Sequence, residues 1–201
     1  MHRNSQKRVY GDHIYFITCN VEGVYPFFEH EILCDLWIHE LRFTKKISQM
    51  ELFAFCLNYD HFHLLIKPHN VTANYSKIMQ FLKRNSSQNI NKILGYTYFR
   101  TNPSTTTHEG DNAHYRLRNE LNTFDEYVLK LRESFKREYG ENHDIPKFKW
   151  QKSFFDHVVR NKQDFEKHYQ YTMYNYKKHE LPEEWKYMGL RFREVIDDFI
   201  E

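Results

Sequence analysis

The stretch LNYDHFHLLIKP (57–68) decides the fold. It continues the β-favouring apolar run ELFAFCL (51–57) across the short turn NYD (58–60), and Pro68 stops it. Two such runs joined by a tight polar turn predict an antiparallel pair of strands. Side chains alternate along the second strand, so His61, His63 and Leu65 share one face and Phe62, Leu64 and Ile66 the other. The aliphatic face suits packing on helices. The other face carries two imidazoles at its turn end, about 7 Å apart by strand rise. Two such nitrogens can converge on one cation. The competing reading is one satisfied core histidine and one at the surface, because histidine is intermediate in burial.

Outward from this pair, HIYFITCNV (13–21) is β-rich and apolar on both faces, as a central strand should be. EHEILCDLWIHELRFTKK (29–46) places Ile32, Leu33, Leu36, Trp37, Leu41 and Phe43 at helical spacing, with Lys45 and Lys46 in the last turn. NYSKIMQFLKRNSSQNINKIL (74–94) repeats apolar residues at Ile78, Met79, Leu82, Ile90, Ile93 and Leu94 and predicts another helix. The order strand, helix, strand, strand, helix predicts an α+β, ferredoxin-like sandwich with a central antiparallel sheet.

Between residues 95 and 146 the pattern weakens. TNPSTTTHEGDN (101–112) is loop chemistry, and FDEYVLKLRESFKREYG (124–140) reads as a charged surface helix ending at Gly140. The segment 95–146 is read as an insertion in a single domain spanning 1–201. Beyond it the core resumes. Asn161 is a good N-cap for a helix running to about Lys178. On that helix Phe165, Tyr169, Thr172, Met173 and Tyr176 form the core side. His168, Tyr171, Asn175 and Lys178 form a second stripe, in which Tyr171 and Asn175 are an i, i+4 pair. In a chain with 15 tyrosines any one is more often packing than chemistry, so the stripe gains weight only beside the two strand histidines.

The whole chain sets wider bounds. With 201 residues, 40% hydrophobic and 17% aromatic, it suits one domain with a largely aromatic core. Six glycines and five prolines are too few for a Gly-punctuated sandwich or barrel. A formal charge of +2 neither demands nor excludes nucleic acid, since a local basic face can hide in a balanced total. Cys19, Cys34 and Cys56 are far apart and form no C-x-x-C pair, which argues against a zinc knuckle, a redox dithiol or a disulfide framework. The polar start MHRNSQKRVYGDH (1–13) lacks an apolar signal region, and no run approaches the ~20 residues of a membrane helix. The expectation is a soluble, cytoplasmic protein without a membrane partner.

LNYDHFHLLIKP and WQKSFFDHVVRNKQDFEKHYQYTMYNYKKHEL (150–181) together resemble the single-tyrosine HUH transposases of the IS200-like superfamily, and most closely the REP-associated tyrosine transposases. The H-x-H pair alone is unspecific; the second block, in this order, is specific. The resemblance implies that His61 and His63 are metal ligands, that Tyr171 is the nucleophile, and that Asn175 completes the metal site. Asp60 stands where that family usually has Asn, and Tyr176 follows Asn175 where Pro is common.

What the resemblance implies is a single-stranded DNA endonuclease/transposase that cuts and rejoins at hairpin-forming repeats through a 5′-phosphotyrosine intermediate. A divalent metal, Mg²⁺ or Mn²⁺, suits the mixed imidazole and amide set. Lys83, Arg84, His157, Arg160 and Lys178 are candidate DNA contacts, although each basic residue taken singly is more often a solvated charge. His168 and Lys178 are also candidates for deprotonating the phenol or holding phosphate. Asp156 and His157 match a family motif whose role here stays open. The partner is single-stranded DNA, with the protein as monomer or homodimer.

Other classes fit less well. An amidohydrolase barrel needs ~250 residues and more strands. A cupin needs many short Gly/Pro-punctuated strands. The alternative on the same fold is a catalytically weak or inactive protein that binds DNA or RNA hairpins. A nuclease that nicks without rejoining is indistinguishable at this level.

Overall fold

The computed structural model describes residues 11–69, 74–96, 112–141 and 143–199, without the side chains of 112–122. Strands β1 (Tyr15–Asn20), β2 (Glu51–Leu57), β3 (His61–Lys67) and β4 (Phe155–Val158) form one antiparallel sheet in the order β2-β3-β1-β4. Helix α1 (Glu31–Ser48) links β1 to β2, and α2 (Tyr75–Ile93) follows β3. This is the expected ferredoxin-like arrangement. The two strands predicted as apolar on both faces, or as carrying the histidines, lie at its centre.

One face of the sheet carries Tyr15, Ile17, Cys19, Phe62, Leu64 and Ile66, all fully buried with Leu33, Trp37, Met79 and Leu82 from α1 and α2. Burying each such side chain contributes about 1.5–3 kcal/mol, so this apolar layer fixes the register of β1 and β3. A one-residue slip would turn His61 and His63 into it. The opposite face carries Phe16, Phe53, Ala54 and Leu65, covered by Phe165 and Met173 of α4 (Lys162–Met173). The histidines therefore lie beneath the helix that carries Tyr171.

Helix α3 (Asn112–Tyr139) lies within the predicted insertion and stops before Gly140, whose φ is 78°. It is more than a surface helix. Phe124, Val128 and Phe135 are buried in the main core, and Phe124 stacks on Phe43 of α1. Apolar residues at 124, 128, 131 and 135 supply one face, which the high charge of the segment hides from a compositional reading.

Strand β4 was not legible in the sequence. Its four residues FDHV gain their pairing from β1, through Phe16↔His157 and Thr18↔Phe155. The other edge of the sheet is covered by the C-terminal segment. Tyr187 accepts from the Leu57 amide, Gly189 and Asp197 donate to the carbonyls of Phe55 and Leu52, and the Asp197 carboxylate accepts from the Leu52 amide. That closes an edge which would otherwise invite pairing with another chain.

Candidate metal centre and tyrosine site

The strand period places His61 and His63 on the α4 face of β3, and the register sets Thr18 opposite His63. Each imidazole is anchored at Nδ1. Asp60 Oδ1 lies 2.6 Å from His61 Nδ1, and Thr18 Oγ1 lies 2.7 Å from His63 Nδ1. An ionised carboxylate can only accept, so His61 carries its proton on Nδ1 and offers the lone pair of Nε2. Thr18 can hold His63 in the same tautomer. His63 Nε2 is buried and has no hydrogen-bond partner.

Burial, and then the neighbouring His61, His179 and Lys178, push the His63 imidazole down to about 3, with only the Asn175 side chain opposing. His63 is thus neutral near pH 7, the form that binds a metal.

The predicted continuous helix does not run to Lys178. It breaks at Tyr174 (φ −111°, ψ 14°), and α5 (Asn175–Lys178) continues as a separate turn. Asn161 caps α4 as expected, its Oδ1 accepting from the Asp164 amide. The break turns Asn175 inward, where it is 1% exposed, while Tyr171 remains 37% exposed. Asn58 Nδ2 donates to Asn175 Oδ1 at 2.8 Å and lies 3.0 Å from His61 Nε2. Two lone pairs from separate elements therefore converge on one NH₂ group. With the orphaned His63 Nε2 beside them, this donor set fits a divalent cation: two imidazole nitrogens and one amide oxygen, with Asp60 and Thr18 orienting the rings.

Tyr171 stands over this cluster. Its ring lies 5.2 Å from that of His63 and meets the edge of Phe16 at 5.7 Å. Lys178 Nζ donates to the Tyr171 hydroxyl at 3.2 Å and lies 5.0 Å from its ring centroid. The structure thus brings together His61, His63, Tyr171, Asn175 and Lys178. His168 points elsewhere. Its Nδ1 lies 2.9 Å from the Asp164 carbonyl and 3.2 Å from the Asp164 carboxylate, and its ring stacks on His157.

Asp156 and His157 separate by strand alternation. Asp156 accepts from the Tyr75 hydroxyl at 2.8 Å on the α2 side, while His157 Nε2 lies 2.8 Å from Asp164 Oδ2. Burial works to raise the Asp164 acid, but hydrogen bonds from His157 and the Arg160 amide outweigh it and hold it below the usual range. Neither Asp156 nor His157 touches the strand histidines; His157 locks β4 to the start of α4.

Lys83 and Arg84 line a cleft of about 870 Å³ between α2 and residues 147–154, together with Lys147, Lys149, Lys152 and the single carboxylate Glu22. Lys83 Nζ is engaged by the carbonyls of Gln151 and Lys152. Arg160 lines separate clefts at the start of α4.

Sequence reasoning missed Asn58, Thr18 and His179. Thr18 needs the strand register, and Asn58 needs the approach of Asn175, 117 positions away. A helix read as ending at Lys178 leaves His179 outside it. In the structure a ring nitrogen of His179 falls within 4.8 Å of those of His61 and His63.

Residues 13–101 match the family model described as transposase IS200 like. No curated protein matches the chain. Among solved structures, a REP-associated tyrosine transposase bound to a REP hairpin aligns with a TM-score of 0.58 at 15% identity, covering 96% of this chain and 84% of that one. A chain of Deinococcus radiodurans described as a transposase aligns with a TM-score of 0.36 at 16% identity, covering 61% of this chain and 98% of that one. The first of these shares the fold. Among the described residues no helix is long and apolar enough to cross a membrane.

Proposed function

We propose, from the IS200-like transposase pattern of residues 13–101, that this protein is a divalent-metal-dependent single-stranded DNA endonuclease/transposase acting through a covalent 5′-phosphotyrosine intermediate. The observation that carries the reading is an exposed Tyr171 whose ring lies 5.2 Å from that of His63, in the cluster with His61 and Asn175, with the Lys178 ammonium on its hydroxyl.

In this account His61 Nε2, His63 Nε2 and Asn175 Oδ1 would hold the cation, which would supply Lewis-acid stabilisation of charge developing on the phosphate oxygens. The Tyr171 oxygen attacks phosphorus and its proton passes to solvent. The P–O3′ bond breaks, and the departing oxygen takes a proton to become a 3′-OH. Attack of a 3′-OH on the tyrosyl link reverses these steps and rejoins DNA, so no external energy source is needed. Lys178 holds the Tyr171 oxygen before attack and offers its positive charge to the phosphate. The basic cleft lined by Arg84, Lys147 and Lys152 gives flanking DNA a phosphate track. Hairpin-forming repeats are the proposed substrate, in keeping with the hairpin bound to the solved structure of like fold.

The test is cleavage of end-labelled single-stranded oligonucleotides, hairpins included, with Mn²⁺ or Mg²⁺. The reading expects cleavage that EDTA abolishes and that His61→Ala and His63→Ala both lose. Hairpin binding that is indifferent to metal, with no cleavage, would instead favour a binding protein on the same fold.

A further inference from the structure

The donor set argued so far has two imidazoles and one amide. A third imidazole stands beside it. One ring nitrogen each from His61, His63 and His179 lies within 4.8 Å of the others, a spread that one ion can span. The His179 ring meets that of His61 edge to face at 4.6 Å.

Its placement follows from the local fold. The break at Tyr174 restarts the helix at Asn175, and the His179 amide donates to the Asn175 carbonyl at 3.3 Å. Asn175 and His179 therefore sit at opposite ends of a single turn and approach the strand histidines together. His179 is exposed while its two partners are buried, so it closes the solvent side of the cluster.

We infer that His179 is a direct ligand of the metal site and sets its metal preference. The inference rests on the metal-dependent reading above but goes beyond it. Two imidazoles and an amide oxygen accommodate Mg²⁺ or Mn²⁺. Three imidazoles make a nitrogen-rich set, which favours borderline transition dications such as Co²⁺, Zn²⁺ or Mn²⁺ over Mg²⁺, a hard ion that keeps oxygen ligands and water. Together with Asn175 Oδ1 the set would be three nitrogens and one oxygen, which leaves a position for phosphate at an ion that takes five or six ligands. The ordinary alternative is a surface histidine at a helix C-terminus, stabilised by the last carbonyls.

The experiment is a titration of the DNA-free protein with Co²⁺, followed by visible absorption and calorimetry, with a parallel Mg²⁺ titration. Variants are His179→Ala and His61→Ala, and thermal melting without metal controls for folding. Wild type is expected to bind Co²⁺ at least tenfold more tightly than Mg²⁺. Losing even an orienting partner of a ligand costs roughly 10–100-fold in affinity, so removing a direct ligand with His179→Ala should weaken Co²⁺ by at least tenfold and alter its spectrum. Mg²⁺ affinity should change far less. If His179→Ala melts like wild type and keeps its Co²⁺ affinity and spectrum while His61→Ala loses both, the inference is overturned. Co²⁺ binding lost in His61→Ala and His179→Ala alike, without DNA cleavage, would sustain this inference and overturn the proposed activity. Absence of Co²⁺ binding to wild type would overturn the inference outright.

Discussion

Asp60 Oδ1 lies 2.6 Å from Nδ1 of His61, in a turn where the resembling family usually places Asn. The carboxylate fixes the imidazole tautomer and leaves on Nε2 the lone pair that the proposed metal would take. Asp60→Ala should therefore weaken Mn²⁺ binding by roughly 10–100-fold, with Asp60→Asn falling between, because its amide oxygen can still accept. Equilibrium dialysis of the three proteins measures this. Equal affinities would mean that the Asp60 contact orients nothing.

Phe155 is 56% exposed on the same sheet face as the histidines, and its ring lies 6.4 Å from Phe16, which in turn meets Tyr171. In the proposed reading, an exposed aromatic ring beside the proposed nucleophile would serve as a stacking platform for an unpaired base, worth ~1–3 kcal/mol. Phe155→Ala should weaken single-stranded DNA binding by about 5- to 160-fold with a melting temperature close to wild type. A fluorescence anisotropy titration that gives an unchanged Kd would remove Phe155 from the DNA path.

Lys83 and Arg84 are neighbours in sequence with different surroundings. Lys83 is bonded to the carbonyls of Gln151 and Lys152, so Lys83→Met should loosen the 147–154 segment and lower thermal stability. Arg84 lines the same cleft. Arg84→Gln should leave stability near wild type and reduce the salt slope of DNA binding by about one phosphate contact. Binding measured over a range of salt, beside melting curves, separates the two. Identical behaviour of both variants would contradict the assignment.

Glu40 is buried between α1 and α2. Its Oε1 accepts from Asn89, while Oε2 has no partner. Burial raises its pKa to about 7, against an ordinary value of 4.5, with Asn89 and Lys92 opposing. The folded state thus holds a proton that the unfolded state has released, and stability falls as pH rises from about 4.5 through 7. Glu40→Gln should remove this slope. At pH 8 it should stabilise the protein by on the order of 1 kcal/mol, or about 2–4 °C in Tm. Below pH 4.5 its advantage should vanish. A variant less stable than wild type at pH 8 would show that the carboxylate is better satisfied than its geometry indicates.

The sheet was legible because its apolar runs are long and continuous: 13–21, 51–57 and 61–67 read as strands before any pairing was known. The H-x-H face followed from strand alternation, and Asn161 followed from capping chemistry. What stayed hidden depends on contacts between distant segments. Strand β4 is four residues with two charged or titratable side chains, and only β1 makes it a strand. Asn58 reads as a turn residue until Asn175 arrives. The break at Tyr174 lacks a glycine or proline to announce it, so the sequence predicts a continuous helix and leaves His179 beyond its end. Helix α3 was recognised only as charged, because its buried face emerges where it lies on α1 and α2.

The central claim is that Tyr171 becomes covalently attached to DNA. The most direct measurement is incubation with 5′-cleavable hairpin oligonucleotides and Mn²⁺, SDS denaturation, and peptide mapping of any protein–DNA adduct by mass spectrometry. The account predicts an SDS-stable adduct on the peptide containing Tyr171, absent with EDTA and absent in Tyr171→Phe. An adduct that survives in Tyr171→Phe and maps to Tyr174, the other exposed tyrosine at the helix break, would contradict it.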